Sequence, residues 1–138
     1  MELPLEKIEY VSCPFDFYFE NKSNTCIMYQ DEYRGHLYKI FSNGSYPMVY
    51  LEVDRRTYIN RCKICYKLFN VIDGGIQYEQ DNFIGWDFAR YQDYVLGRSD
   101  NDNRCTKIWT FADVLMNIKK AIDAVEYNFW DKLKFWNW

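Results

Sequence analysis

The sequence predicts an α+β fold: an antiparallel β-sheet with a C-terminal helix packed on one face. Three observations predict it. Segments of alternating apolar and polar residues, separated by turn signals, fill most of the chain before residue 90. An apolar helical repeat runs from Phe111 to Val125. The 138 residues are 49% hydrophobic and 20% aromatic, which suits one domain with a packed core and excludes a disordered chain.

The elements follow in order. Ile8 to Glu20 is rich in aromatic and β-branched residues, but Pro14 interrupts it, so any strand here is short or lies on an edge. Asn21-Lys22-Ser23-Asn24 reads as a turn, with Thr25 to Tyr29 as the returning strand. Tyr33 to Phe41 and Tyr46 to Val53, joined by Ser42-Asn43-Gly44-Ser45, predict a β-hairpin. Two further strands are expected near Ile76–Gln80 and Phe83–Ala89. In the second, Ile84, Trp86, Phe88 and Arg90 share a mostly apolar face, and Gly85 signals the close approach of another group. Ser99 to Asn103 is a polar loop. A helix is expected over Phe111–Glu126, with Thr110 as N-cap and Asp113 near its positive end. Its core stripe is Phe111, Val114, Leu115, Ile118, Ala121, Ile122 and Val125.

The domain reading is therefore one α+β domain over 1–126, with an N-terminal extension at 1–32 and a core at 33–126. Residues 127–138 form an aromatic tail, in which Trp130 and Trp136 are candidate anchors for a partner. The acidic start, Met1 to Glu6, lacks an apolar segment, and no run approaches the length that spans a bilayer. The expectation is a soluble chain in the cytoplasm, away from the membrane.

Net charge is −3, which argues against direct nucleic-acid binding. The charge is uneven. Residues 1–32 hold seven acids and two bases, and residues 33–72 hold two acids and seven bases. Arg55, Arg56, Arg61 and Lys63 form the basic patch, read as a solvated face or as a grip for phosphate or an acidic partner. Of the five cysteines, Cys62 and Cys65 form a CxxC without a second pair at short spacing. Ordinary reduced thiols are favoured over zinc or redox chemistry there. No cofactor and no metal site is predicted.

The segment Asp73-Gly74-Gly75-Ile76-Gln77-Tyr78, followed by Phe83-Ile84-Gly85-Trp86-Asp87-Phe88-Ala89-Arg90-Tyr91, concentrates glycines, rings and carboxylates. The bland reading is structural: glycines for a tight turn, and Asp87 capping the chain or pairing with Arg90. The functional reading is a partner or ligand site of Trp86, Asp87, Arg90 and Tyr91, because an arginine beside aromatic rings can grip a base or a phosphate.

Tyr33-Arg34-Gly35, Tyr50-Leu51-Glu52-Val53, Gly74-Gly75-Ile76-Gln77-Tyr78 and Ile84-Gly85-Trp86-Asp87-Phe88-Ala89 with Asp93, followed by the helix, resemble a family of small phage and mobile-element proteins. The resemblance covers residues ~33–125 by its strand and helix pattern. The chain departs from that family where a histidine usually precedes the paired glycines and here stands Asp73, and where a histidine often follows Asp87 and here stands Arg90. The resemblance implies an anti-defence protein, first an anti-CRISPR inhibitor that blocks a Cas effector sterically. The alternatives are a sponge for a cyclic nucleotide or ADP-ribose-type signal, and an accessory enzyme using Asp87.

Overall fold

The structure is a computed structural model. It describes residues 7–53, 68, 71, 72, 75–80 and 82–136, with side chains through Glu126. The strands are β1 (Ile8–Val11), β2 (Cys26–Tyr33), β3 (His36–Ser42), β4 (Pro47–Glu52), β5 (Tyr78–Gln80) and β6 (Phe83–Asp87), followed by the helix α1 (Phe111–Trp136). They form one sheet in the order β1-β2-β3-β4-β6-β5. All pairs are antiparallel except β1 with β2.

That parallel pair corrects the expected N-terminal hairpin. Residues 12–25 form the longer crossover that parallel strands require. The crossover is anchored by its aromatics: Phe17 is buried and its ring stacks on Phe111 at 5.8 Å. The Ser42 hydroxyl donates to the Phe17 carbonyl at 2.6 Å. The N-terminal segment is thus part of the sheet, and a boundary at residue 32 would cut through β2.

The β3–β4 hairpin forms as expected, with Ser42 paired to Pro47. The strand expected from Tyr33 to Phe41 is instead broken by a tight turn. Tyr33 pairs with His36 across Arg34 and Gly35, whose φ angles are 52° and 82°. Two positive φ values match the mirror-image turn whose twist suits a hairpin, and glycine makes the second position easy.

Alternation divides the sheet into two faces. One carries Tyr38, Ile40, Val49, Leu51, Ile84 and Trp86 against Val114, Ile118, Ala121, Ile122 and Val125 of α1, and this is the main core. The predicted helix stripe packs as expected. Its start is a reciprocal cap: the Asp113 N–H donates to the Thr110 hydroxyl at 3.2 Å, and the Thr110 N–H donates to Asp113 Oδ2 at 3.3 Å. The helix does not stop at Glu126. Residues 127–136 contain neither Gly nor Pro, and the backbone helix runs through Trp136. No helix among the described residues is long and apolar enough to cross a membrane.

The opposite face carries a smaller buried cluster of Cys26, Met28, Phe41 and Met48, flanked by Tyr46 and Tyr50. The hairpin tip between β2 and β3 holds the far part of α1. Tyr33 and Arg34 both donate to Asp123, at 3.1 and 2.9 Å, and the His36 ring meets Glu126 at 2.7 Å.

Candidate functional site

The residues expected to form one site are separated by the pleat of β6. Ile84 and Trp86 face the helix, whereas Gly85 and Asp87 face away. Trp86 is 1% exposed, and its indole N–H donates to Asn117 Oδ1 at 3.0 Å. Asn117 in turn donates to the Val71 carbonyl at 3.1 Å, so the pair ties β6, α1 and the turn after Leu68 together. Trp86 is therefore a core residue and not a contact surface.

Asp87 does not pair with Arg90. Its Oδ2 accepts from the Tyr78 hydroxyl at 3.0 Å, and its Oδ1 accepts from the Ala89 N–H at 3.3 Å. Its own N–H donates to Gln77 Oε1 at 2.9 Å. The Arg90 guanidinium reaches the Gly75 carbonyl at 3.5 Å, while its backbone N–H donates to Asp93 Oδ2 at 3.1 Å. Tyr91 is 89% exposed. The basic patch Arg55, Arg56, Arg61 and Lys63, together with Cys62, Cys65, Asp73 and Gly74, lies outside the described residues. So do the side chains of Trp130 and Trp136.

Asp93 belongs to a different structure, a braced loop. It is 4% exposed, and its Oδ1 accepts from the Trp109 indole at 3.0 Å. The Arg98 guanidinium donates to the carbonyls of Ala89, Arg90 and Asp93 at 2.9 to 3.0 Å. Trp109 packs on Phe88 at 4.3 Å, and its N–H donates to the Tyr18 hydroxyl. Here a buried carboxylate and a half-buried guanidinium satisfy loop backbone, as buried charge requires.

What gathers around Asp87 is a set of tyrosines. Register places Tyr50, Gly85 and Tyr78 side by side across β4, β6 and β5. A Cβ on Gly85 would meet two Tyr50 ring atoms at 3.1 Å, so the Tyr50 ring lies over this glycine. That is the close approach that the glycine signalled. Burial, and then the hydrogen bond to Asp87, push the Tyr78 hydroxyl up to about 12. Burial also raises Tyr46 and Tyr50, and the charge of Asp87 adds to the rise at Tyr46. Tyr46, Tyr50, Tyr78 and Asp87 are all half-buried. Among the described residues, no lysine or arginine stands within ion-pair distance of Asp87.

The three tyrosines were not legible as site residues from the chain alone. The available signal was Gly85 in a strand. Reading it further needed the register that sets Tyr50 and Tyr78 on either side.

Among the described residues, no set of three His, Cys, Asp or Glu side chains is placed to hold a metal ion. His36 sits between the Glu52 carbonyl and the Glu126 carboxylate. Cys13 and Cys105 are exposed free thiols and Cys26 is a buried one. Compared with protein-family models, curated proteins and solved structures, the chain finds no match.

Proposed function

We propose that this chain is a binding protein that acts by occupation: it sets the sheet face opposite α1 against a macromolecular target. The observation that carries the reading is the half-buried Asp87–Tyr78 pair on that face, bordered by Tyr46 and Tyr50. Tyrosine joins a rigid apolar body to a polar tip, a combination that suits a contact surface. Tyr91 adds an exposed ring in the loop beyond β6.

The resemblance in the strand motifs supplies the wider setting, an anti-defence protein with a Cas effector as first target. The nucleotide-sponge reading loses its proposed pocket, since Trp86 faces the helix while Tyr91 is exposed. The test adds the purified full chain to guide-loaded Cas effectors of several classes and follows cleavage of target DNA. Stoichiometric inhibition that does not deepen with incubation, and that weakens with Tyr91→Ala, is the expected result. Inhibition that is catalytic in the chain would overturn occupation. Failure to bind or inhibit any effector would remove the Cas target.

A further inference from the structure

We propose that Asp87, Tyr78, Tyr50 and Tyr46 form a receptor for a single organic cation, an ammonium or guanidinium head group. This rests on the reading of that sheet face as a binding surface, and names the chemistry it recognises.

Asp87 is the centre. A carboxylate offers about four acceptor positions. Among the described residues, the Tyr78 hydroxyl takes one on Oδ2 and the Ala89 N–H takes one on Oδ1. Neither donor brings a full positive charge, and no lysine or arginine among the described residues does either. A half-buried carboxylate held only by neutral donors attracts a cation more strongly than one already paired. The surroundings select the kind of cation. A hard metal ion asks for several oxygen ligands, commonly more than one carboxylate, and one Asp with neutral tyrosines does not supply them. An organic cation asks for less: one carboxylate for its charge and aromatic rings for its carbon and N–H surface.

The positions are fixed in advance. Gln77 Oε1 holds the Asp87 N–H at 2.9 Å, and the Tyr78 hydroxyl holds the carboxylate. Gly85, lacking a side chain, lets the Tyr50 ring rest directly on the strand backbone beside Tyr78. Met48 pairs with Asp87 across β4 and β6, and Tyr46 and Tyr50 pack on the cluster to which Met48 belongs, so the rings gather beside the Asp87–Tyr78 pair. An anion would meet the Asp87 carboxylate head on, which disfavours phosphate here.

The cation could be a side chain presented by a protein, or a free amine. NMR titration of the full chain separates them, following the Gly85 and Asp87 amides. Blocked arginine and lysine (N-acetyl amides) stand for protein side chains, spermidine for free amines, and blocked glutamine is the neutral control. Saturable shifts with a cation, absent with glutamine, are expected. Asp87→Asn keeps the acceptor for Tyr78 but removes the charge, and is expected to weaken binding by roughly tenfold or more. Tyr50→Leu, on the neighbouring strand, is expected to weaken it less. Preference for the blocked side chains assigns a protein source, and preference for spermidine assigns a small amine. Flat titrations with every cation overturn the proposal, as does an unchanged response in a folded Asp87→Asn chain. If the titrations are flat while a Cas effector is still inhibited, the cation receptor is wrong and the binding reading stands.

Discussion

The two faces of the sheet use the same strands for different ends. Toward α1, Ile40, Val49, Leu51, Ile84 and Trp86 are fully packed, and the Trp86 indole N–H meets Asn117. Away from α1, the alternate residues form a smaller cluster of Cys26, Met28, Phe41 and Met48, then give way to tyrosines and Asp87. The first face stabilises, because burying apolar area is the main favourable contribution to folding. The second gives up part of that stabilisation and keeps a charge without a counter-charge among the described residues. Sites that bind something else commonly show such a local departure from the best packing.

Single substitutions on the two faces put the difference to the sharpest test. Ile118 lies fully buried between helix and sheet. Ile118→Ala is expected to cost about 2–5 kcal/mol in urea unfolding, from lost burial and the cavity left behind. Asp87→Asn, on the other face, keeps an acceptor for Tyr78, gives up the one for the Ala89 N–H, and is expected to cost only about 1 kcal/mol. Equal losses at the two positions would erase the distinction and make Asp87 a structural residue.

Gly85 offers a smaller and more local effect. An added Cβ would lie 3.0 Å from the Val49 carbonyl and 3.1 Å from the Tyr50 ring. Gly85→Ala is expected to cost about 1–3 kcal/mol by overpacking. If the ring is the obstacle, the cost shrinks in a Tyr50→Ala background, and a double-mutant cycle reads the coupling. An unchanged cost would place the obstacle at the Val49 carbonyl, in the ladder itself.

The parts legible in the sequence were those set by local chemistry. The helix stripe and its Thr110–Asp113 cap follow from spacing along one element. The β3–β4 hairpin follows from its Asn-Gly turn signal. The parallel pairing of β1 with β2 was hidden, because neighbouring strands with a turn signal between them read as a hairpin. The Arg34-Gly35 turn was absorbed into a strand, because the alternation continues across it. In the candidate site, Asp87 and Tyr91 are legible, and Trp86 takes the expected face with Ile84 and Phe88, but grouping it with Asp87 in one site fails across the pleat. Its ring is large, and from the chain alone a tryptophan in a core and one on a surface look the same. Tyr50 reaches the Asp87 strand only through the β4–β6 pairing, which joins segments distant in sequence, and Tyr78 through the register of the β5–β6 hairpin.

The faintest expected difference between the faces is in their response to alkali. Tyr38 faces the helix and Tyr78 faces away, and both hold their protons to about 12 against an ordinary 10.0. Burial leads in both, and the second cause differs: the Asp31 charge for Tyr38, the Asp87 hydrogen bond for Tyr78. Because both groups bind the proton more tightly when folded, the stabilisation is complete below pH 10 and is lost as pH rises toward 12. Urea midpoints measured across that window should therefore fall. Tyr78 is only half-buried, so solvent screens its share, and Tyr78→Phe should change the slope less than Tyr38→Phe does. A bound organic cation would widen that gap. It offsets the Asp87 charge that helps hold the Tyr78 proton, so saturating the chain with it should lower the Tyr78 titration and leave Tyr38 unmoved. Tyrosinate absorbance with and without the cation reads both shifts. A shift confined to Tyr38 would move the cation to the wrong face.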